Sequence, residues 1–166
     1  MAFDGIVLAA VTAEMQRLMN SRIYKIYQPE RREIVLHCRL PGASLPVVLS
    51  ADPQSARAYL AVQVPDNPPS PPAFCMLLRK YLEGGRILGI IQPDLERILV
   101  ITIENMAETG ELAHYRLISE IMGRHSNIIL VDSSNTVLDA INRVDSRVNR
   151  YREIVPGATY IPPPDQ

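Results

Sequence analysis

The chain has 166 residues, of which 47% are hydrophobic and 21% charged, with a net charge of −1; this composition is typical of a folded globular domain and excludes a disordered or fibrous one. A chain of this length buries roughly 70% of the surface that its unfolded form exposes, so its core needs neither disulfides nor a metal. Apolar runs such as 87–91 and 98–101 are far shorter than the roughly 20 residues that span a bilayer. Because no basic region precedes an apolar stretch at the N-terminus, we expect a cytoplasmic protein without a membrane segment or secretion signal.

The first helix is predicted to begin after Asp4, whose side chain can cap it, and to end near residues 20–22. Phe3 and Leu8 stand at the two positions of a hydrophobic staple. Four apolar residues share one helical face: Val7, Val11, Met15 and Leu18.

Short segments rich in β-branched, aromatic and aliphatic residues come next and predict a meander of three strands at 23–27, 34–40 and 45–49. Five prolines then fall within residues 65–72. Since proline is excluded from helix interiors and central strands, this stretch is predicted to be a stiff surface connection.

A second amphipathic helix is predicted directly after the prolines. Its apolar positions follow the i, i+3, i+4, i+7, i+8 spacing: Phe74, Leu77, Leu78, Tyr81 and Leu82. Prolines 71 and 72 are tolerated in its opening turn, and the glycines at 84 and 85 end it. Its polar face would carry Arg79, Lys80 and Glu83.

Two antiparallel hairpins are predicted in the second half of the chain, one from 86–91 and 97–103 and one from 127–131 and 136–141. The segment 114–122 is ambiguous. Its apolar residues at 117, 118, 121 and 122 have helical spacing, but strand signals on both sides favour a strand almost equally. Residues 156–164 are predicted to be extended.

The cysteines and histidines do not form a metal-ligand pattern. Cys38 and Cys75 each lie among apolar residues, so we expect buried free thiols in preference to a disulfide. His37, His114 and His125 are isolated and lack zinc-ligand spacing. We therefore expect no metal and no other cofactor.

Basic residues are concentrated locally although the net charge is close to zero. Residues 17–39 hold six basic residues against two acidic ones, and residues 143–152 hold four arginines against one aspartate. Only two of the 17 basic residues are lysines, and the planar guanidinium suits bidentate phosphate contacts. A bias towards arginine codons would give the same composition, so charge alone does not predict nucleic-acid binding.

No glycine-rich phosphate loop, serine elbow or metal-binding histidine pair occurs, so we expect no catalytic residues. Three polar positions remain as candidates. The first is Asp4, which is either a base or ligand, or simply a helix cap. The second is the pair Glu96 and Arg97, which either contact a phosphate or are solvated turn residues. The loop 123–127 holds an anion, or is a tight turn satisfied by its own side chains.

Long motifs resemble one known family. They are MAFDG at 1–5, RIYKIYQP at 22–29, FCMLLRKYLEGGRI at 74–87, EIMGRHSNIILVD at 120–132 and PGATYIPPP at 156–164. These segments look like the N-terminal NFACT domain of the RqcH, NEMF and FbpA proteins, the last historically called fibronectin-binding proteins. The resemblance covers essentially the whole chain and implies an NFACT domain at 1–155, followed at 156–166 by the proline-rich start of a linker to downstream regions.

The resemblance implies a domain of a ribosome-associated quality-control factor. Such proteins bind the large ribosomal subunit that is still obstructed by peptidyl-tRNA, and they recruit tRNA for untemplated C-terminal tailing of the stalled chain, with alanine in bacteria. The N-terminal domain helps to recognise tRNA, and the later regions make the ribosome contacts. The implied fold is α+β, an antiparallel β-sandwich or open barrel with flanking helices, resembling the N-terminal domain of the formamidopyrimidine-DNA glycosylases.

The resemblance also implies site residues. The family's important acidic residue near the start falls on Asp4, and its Asp-Arg pair falls on Glu96 and Arg97, where this chain has the longer glutamate. A hydrogen bond that needs the shorter carboxylate is in doubt at Glu96, so Arg97 is the firmer of the two. Weaker candidates for tRNA backbone contacts lie in matching segments: Arg79, Lys80, Arg124 and His125.

Two other functions fit the sequence less well. A DNA-glycosylase activity is disfavoured because those enzymes use an N-terminal proline nucleophile followed closely by a glutamate, whereas here Ala2, Phe3 and Asp4 follow Met1 and the first glutamate is Glu14. An adhesion module that binds fibronectin lacks support from a signal peptide, repeats or an anchor sequence, and fibronectin is expected as a secondary partner at most.

Overall fold

A computed structural model describes residues 3–62, 70–94 and 96–164 of the chain. Within these residues two α-helices and nine strands follow in the order α1 (Gly5–Met15), β1 (Arg22–Glu30), β2 (Glu33–Leu40), β3 (Ala43–Ser50), β4 (Arg57–Leu60), α2 (Ala73–Leu82), β5 (Arg86–Ile91), β6 (Ile98–Met106), β7 (Leu112–Glu120), β8 (Asn127–Asp132) and β9 (Val137–Ala140). Short 3-10 helices occupy Gln16–Leu18 and Gly123–His125.

The nine strands form one antiparallel sheet with the order β4-β3-β2-β1-β5-β6-β7-β8-β9. The predicted α+β class with antiparallel strands is therefore confirmed. In the part of the chain that the structure describes, the strands belong to a single open sheet, so the two separate sheets of a sandwich are not observed. The physical reason is that β1 pairs with β5 and links the two halves of the sheet directly.

The two halves of the sheet meet at a narrow junction. Strand β1 pairs with β5 only at Arg22 and Arg86. Beyond this pair, the Ile23 amide donates to the Gly85 carbonyl at 2.9 Å. Further along β1, α2 and its capping residue Glu83 satisfy the backbone: the Ile26 amide donates to Glu83 Oε2 at 3.2 Å, and Arg79 Nε donates to the Ile26 carbonyl at 2.8 Å. The helix thus replaces a neighbouring strand, because unpaired backbone groups are costly when shielded from water.

The main hydrophobic core draws on both helices and on both halves of the sheet. Helix α1 and the 3-10 helix after it contribute Leu8, Met15 and Leu18. Helix α2 contributes Phe74, Cys75, Leu78 and Leu82. A smaller cluster on the other face of β6, β7 and β8 includes Ile98, Ile118, Ile129 and Tyr160.

The predicted helices are confirmed, with one change in the buried face of α1. Asp4 caps α1, since its Oδ1 accepts a hydrogen bond from the Val7 amide at 2.9 Å. Of the four residues predicted to share one helical face, Met15 and Leu18 are fully buried together with Leu8, and Val7 and Val11 are only partly buried. The helix is apolar nearly all round, so its spacing alone did not identify the inward side.

The predicted meander and both hairpins are confirmed as β1 to β3, β5 with β6, and β8 with β9. The ambiguous segment is strand β7, which pairs with β6 at nine positions and with β8 on its other edge. Both faces of β7 are buried, Leu117 in the main core and Ile118 in the smaller cluster. Because apolar residues occur on both faces of the strand, the spacing of residues 117, 118, 121 and 122 also fits a helix. Strand β4 was not predicted.

Residues after β9 pack back onto the sheet. The Val137 amide donates to the Ala158 carbonyl at 2.7 Å, and the Tyr160 amide donates to the Asn135 carbonyl at 2.8 Å. Pro156 and Gly157 form a turn, closed by the Ala158 amide that donates to the Val155 carbonyl at 3.1 Å, so the expectation of an extended 156–164 segment fails at its first two residues. A linker beginning at residue 156 stays a prediction. Of the five clustered prolines, those at 65, 68 and 69 lie outside the described residues, and prolines 71 and 72 precede α2. Cys38 and Cys75 are buried free thiols, as predicted.

Candidate functional site

A cleft of about 430 Å³ opens where α1, the β3–β4 connection and the β5–β6 and β7–β8 loops meet. Four segments that are distant in sequence contribute to its lining through Asp4, Arg57, Arg97 and Gly123. The structure thus brings together two of the predicted site residues, Asp4 and Arg97. It adds Arg57, which no motif in the sequence indicated.

Gln92 connects the start of α1 to the β5–β6 loop. Its Nε2 group donates to the Gly5 carbonyl at 2.9 Å and to the Glu96 carbonyl at 2.6 Å. On the other side of the loop, the Ile121 amide donates to the Arg97 carbonyl at 2.8 Å. The backbone on both sides of Arg97 is therefore held by hydrogen bonds at the place where Arg97 lines the cleft. Sequence analysis missed Gln92, and a single glutamine in a turn carries no signal of such a role.

Asp4 has two functions available at the head of α1. Its Oδ1 atom caps the helix through the Val7 amide, and the residue is exposed at the lining of the cleft. A carboxylate offers about four acceptor positions, so one capping bond uses a fraction of its capacity. Glu96 is partly buried beside Arg97, and its carbonyl is the acceptor for Gln92.

Arg57 begins β4 and brings a second guanidinium to the cleft. It is exposed, and its guanidinium carbon lies 4.8 Å from the centre of the Tyr59 ring. Its positive charge also acts on Glu33 in β2. Burial raises the pKa of Glu33, and the charge of Arg57 partly offsets that rise. The cleft therefore combines one carboxylate with two guanidinium groups.

The predicted loop at 123–127 forms a tight turn beside the cleft. Gly123 has φ +58°, a left-handed conformation that glycine adopts without steric cost. The Met122 amide donates to the buried Ser126 Oγ at 2.8 Å, so the turn is partly satisfied by its own side chain. Arg124 and His125 are exposed, and Arg124 Nε lies 3.3 Å from His125 Nε2. They are neighbours of the cleft, and their contact with tRNA stays a prediction.

Arg79 and Lys80 lie on α2, away from the cleft. Arg79 is partly buried and donates to the Ile26 carbonyl, which gives it a structural role at the junction between the sheet halves. Lys80 is exposed, with Nζ 3.9 Å from Glu108 Oε1. The structure therefore separates these two predicted contacts from Asp4, Glu96 and Arg97.

The described residues contain no group of three or more histidine, cysteine, aspartate or glutamate side chains arranged to hold a metal ion. Nor does any helix within residues 3–62, 70–94 and 96–164 have the length and apolar character needed to cross a membrane.

Comparison with known proteins identifies relatives over the entire chain. Residues 4–166 match the model of the NFACT N-terminal and middle domains. The chain is 41% identical to the Rqc2 homolog RqcH of Bacillus subtilis, an alignment that covers 100% of this chain and 30% of that protein. It is 28% identical to the ribosome quality control complex subunit 2 of Saccharomyces cerevisiae, over 86% of this chain and 13% of that protein.

A solved structure also matches closely. The N-terminal domain of fibronectin-binding protein PavA from Streptococcus pneumoniae superimposes with a TM-score of 0.95 at 44% sequence identity, covering 99% of this chain and 63% of the solved chain. The chain thus spans about 30% of the length of the bacterial relative. The activities of the whole relatives therefore belong to proteins with much additional sequence.

Proposed function

Because the chain belongs to the NFACT N-terminal family, whose relatives are Rqc2 and RqcH ribosome quality-control factors, we propose that it recognises tRNA within such a factor. The factor would bind obstructed large ribosomal subunits that carry peptidyl-tRNA. It would recruit tRNA there for untemplated C-terminal alanine tailing of the stalled chain. The observation that carries the proposal is the convergence of Asp4, Arg57 and Arg97 on one cleft.

The chemistry of the cleft suits unpaired RNA. Arg57 and Arg97 offer planar guanidinium groups for phosphate oxygens or for a base edge. Asp4 repels phosphate but accepts hydrogen bonds from the exocyclic amines of bases. A carboxylate that shares the cleft with two arginines therefore favours a tRNA loop with exposed bases rather than a duplex, since an RNA duplex hides its major-groove edges.

The relative roles of Glu96 and Arg97 follow from their settings. Arg97 lines the cleft, and a guanidinium suits phosphate oxygens. Glu96 is one methylene longer than the aspartate that the family resemblance implies, so its carboxylate extends further from the backbone when it contacts a ligand. We assign the main contact to Arg97 and a supporting one to Glu96.

The domain would act by binding and positioning, without catalytic residues of its own. Peptide transfer would take place on the ribosome, and the domain would hold the incoming tRNA. This role places the protein in the cytoplasm. It requires neither a metal nor another cofactor.

The proposal is tested by Arg97→Ala in the complete protein, isolated from its own cells with the RNA that copurifies. We expect tRNA recovery to fall at least about tenfold, with large-subunit RNA retained and the thermal midpoint nearly unchanged. Arg147→Ala is the control, because Arg147 is an exposed arginine in the 143–152 segment and does not line the cleft. Unchanged tRNA recovery from the Arg97 variant, or an equal loss from the control, would contradict the proposal.

A fibronectin-binding role is the alternative, and it is favoured by the description of the PavA relative as a fibronectin-binding protein. Immobilised fibronectin discriminates between the two functions. We expect weak capture that does not depend on Arg97. Strong capture by the complete protein, without tRNA in the preparation from cells, would favour the alternative.

A further inference from the structure

Three arginines lie side by side where the two halves of the sheet join. Arg22 of β1 pairs in register with Arg39 of β2 on one side and with Arg86 of β5 on the other. A residue next to each arginine is buried in the main core: Ile23, Cys38 and Ile87. Because side chains alternate along a strand, all three arginines point to the outer face of the sheet. We call this set the arginine row.

The arginine row carries more positive charge than the protein neutralises. Like charges directly opposite each other on neighbouring strands are destabilising. Arg86 NH2 lies 3.3 Å from Glu104 Oε1. Among the described residues no carboxylate forms an ion pair with Arg22 or Arg39, and Arg22 NH1 donates to the uncharged Gly84 carbonyl at 3.0 Å. Two arginines at directly opposed strand positions therefore remain available to an external anion.

Tyr24 adds an aromatic surface beside the arginine row. The guanidinium carbon of Arg39 lies 4.3 Å from the centre of the Tyr24 ring, a stacked arrangement. The Tyr24 hydroxyl is hydrogen bonded to Ser44 Oγ at 3.0 Å, and His37 packs edge-on at 5.8 Å between ring centres. The ring is thus held in place, and a planar guanidinium caps it on the outside.

Strand β1 carries a further positive charge close to Arg22, and within the arginine row Glu104 offsets the charge of Arg86 alone. Lys25 is exposed and lies opposite His37 in the β1–β2 pair. Positive charge together with a planar stack is the combination that binds single-stranded nucleic acid.

We propose that the arginine row, with Tyr24 and Lys25, binds a segment of single-stranded RNA. Arg22 and Arg39 would contact neighbouring phosphates, and one base would extend the stack of Tyr24 and Arg39. The surface is separate from the cleft: Arg97 precedes β6, and Arg86 pairs with Glu104 six residues along that strand from Ile98, a distance of about 20 Å. This site goes beyond the proposed function, because it does not depend on the cleft.

The test measures how the complete protein binds a fluorescein-labelled single-stranded oligoadenylate over a range of salt concentrations. Each phosphate contact on a single strand contributes about 0.7 to the slope of log affinity against log salt. The double variant Arg22→Gln with Arg39→Gln is expected to lower that slope by about 1.4 and to weaken binding on the order of tenfold at 0.15 M salt. Arg147→Gln with Arg150→Gln removes the same charge from an exposed loop and serves as the matched control.

Two further variants separate stacking and folding from charge. Tyr24→Leu is expected to weaken oligoadenylate binding about tenfold, whereas Tyr24→Phe keeps the ring and binds normally. Because the double arginine variant relieves repulsion between neighbouring strands, its thermal midpoint is expected to hold or rise, so weaker binding does not reflect unfolding.

Several outcomes would overturn the inference. One is an unchanged salt slope for oligoadenylate binding in the double arginine variant, and another is an equal loss of binding in the control pair. A third is displacement of the oligoadenylate by polyglutamate at equal charge concentration, which would indicate an acidic protein partner. Arg97→Ala distinguishes this site from the cleft. If the Arg97 variant alone loses oligoadenylate binding, the arginine row is not an RNA site. If Arg97→Ala leaves the recovery of cellular tRNA unchanged while the double arginine variant loses oligoadenylate binding, the proposed function fails and this inference stands.

Discussion

Glu120 and Arg152 form an ion pair inside the protein. Glu120 at the end of β7 has no exposed surface, and Arg152 is 8% exposed. Two guanidinium nitrogens donate to the two carboxylate oxygens, one of them NH1 to Oε2 at 3.0 Å. The Tyr160 hydroxyl also donates to Oε2, at 2.7 Å, and Arg152 NH1 donates to the Ile161 carbonyl at 2.7 Å. One buried carboxylate therefore reinforces the backbone hydrogen bonds that attach the segment after β9 to the sheet.

Arg152→Met is expected to destabilise the protein by about 3–5 kcal/mol, because it leaves the Glu120 carboxylate buried without a counter-ion. Urea unfolding followed by circular dichroism measures the change. Arg147→Met is the control: its pair with Asp145 is on the surface, with 89% of the arginine side chain exposed, and we expect little effect. Similar losses for the two variants would show that burial does not set the strength of the Glu120 pair.

Asp4 variants separate helix capping from ligand binding. Asp4→Ala removes the acceptor for the Val7 amide and is expected to cost about 1 kcal/mol of stability. Asp4→Asn keeps a good capping residue and removes the charge, so its stability is expected to match the unchanged protein. If the carboxylate contacts RNA, both variants recover less tRNA from cells. Normal tRNA recovery by Asp4→Asn would restrict Asp4 to capping.

Gln92→Ala is expected to loosen the β5–β6 loop without removing a group that lines the cleft. It deletes the hydrogen bonds to the Gly5 and Glu96 carbonyls and should cost about 1–2 kcal/mol of stability. We also expect tRNA recovery to fall, because Arg97 is then less well positioned. Hydrogen exchange of the amides at 96–98 measures the loosening, and unchanged protection would show that Gln92 does not hold the loop.

Gly85 and Gly89 provide a matched pair on either side of Ile87. A Cβ atom at Gly85 would lie 2.8 Å from Ile103 Cγ2 and 2.9 Å from the Leu82 carbonyl oxygen. A Cβ atom at Gly89 would have no neighbouring atom within 4 Å. Gly85→Ala is therefore expected to destabilise by about 1–3 kcal/mol. Gly89→Ala should be neutral or slightly stabilising, since alanine restricts the unfolded chain. Thermal unfolding that ranks the two in the opposite order would refute the close packing at Gly85.

Stability is expected to fall at alkaline pH because of Cys38. Burial raises the pKa of its thiol to about 12, against an ordinary value of 9.0. Above about pH 9 the unfolded chain releases the thiol proton while the folded protein keeps it, so this contribution is complete below pH 9 and is lost as the pH rises towards 12. The slope approaches about 1.4 kcal/mol per pH unit.

The effect of Cys38 is isolated by comparison with Cys38→Ala. The variant is expected to show a shallower decline between pH 9 and pH 12, with parallel curves below pH 8. Burial also raises the pKa of Tyr160, so some alkaline loss above about pH 10 should remain in the variant. Identical slopes in the two proteins would exclude Cys38 as a source.

Helix α2, the first meander and both hairpins were predictable because their signals are local. The spacing of Phe74, Leu78 and Leu82 identifies one apolar face, and proline and glycine mark the ends of elements. The pattern was ambiguous at β7, where Leu117 and Ile118 are buried on opposite faces. Periodicity identifies a strand when only one face is buried, so a strand covered on both sides loses that signal.

By itself, the sequence determined most elements, the Asp4 cap, the free thiols and the family. Tertiary structure alone decided that Arg57 joins Asp4 and Arg97 in a cleft, that Arg79 supports the β1 backbone, and that three arginines share one row. The physical reason is the range of the interactions. Capping and periodicity depend on residues within a few positions, whereas these juxtapositions depend on strand register and core packing between segments far apart in the chain.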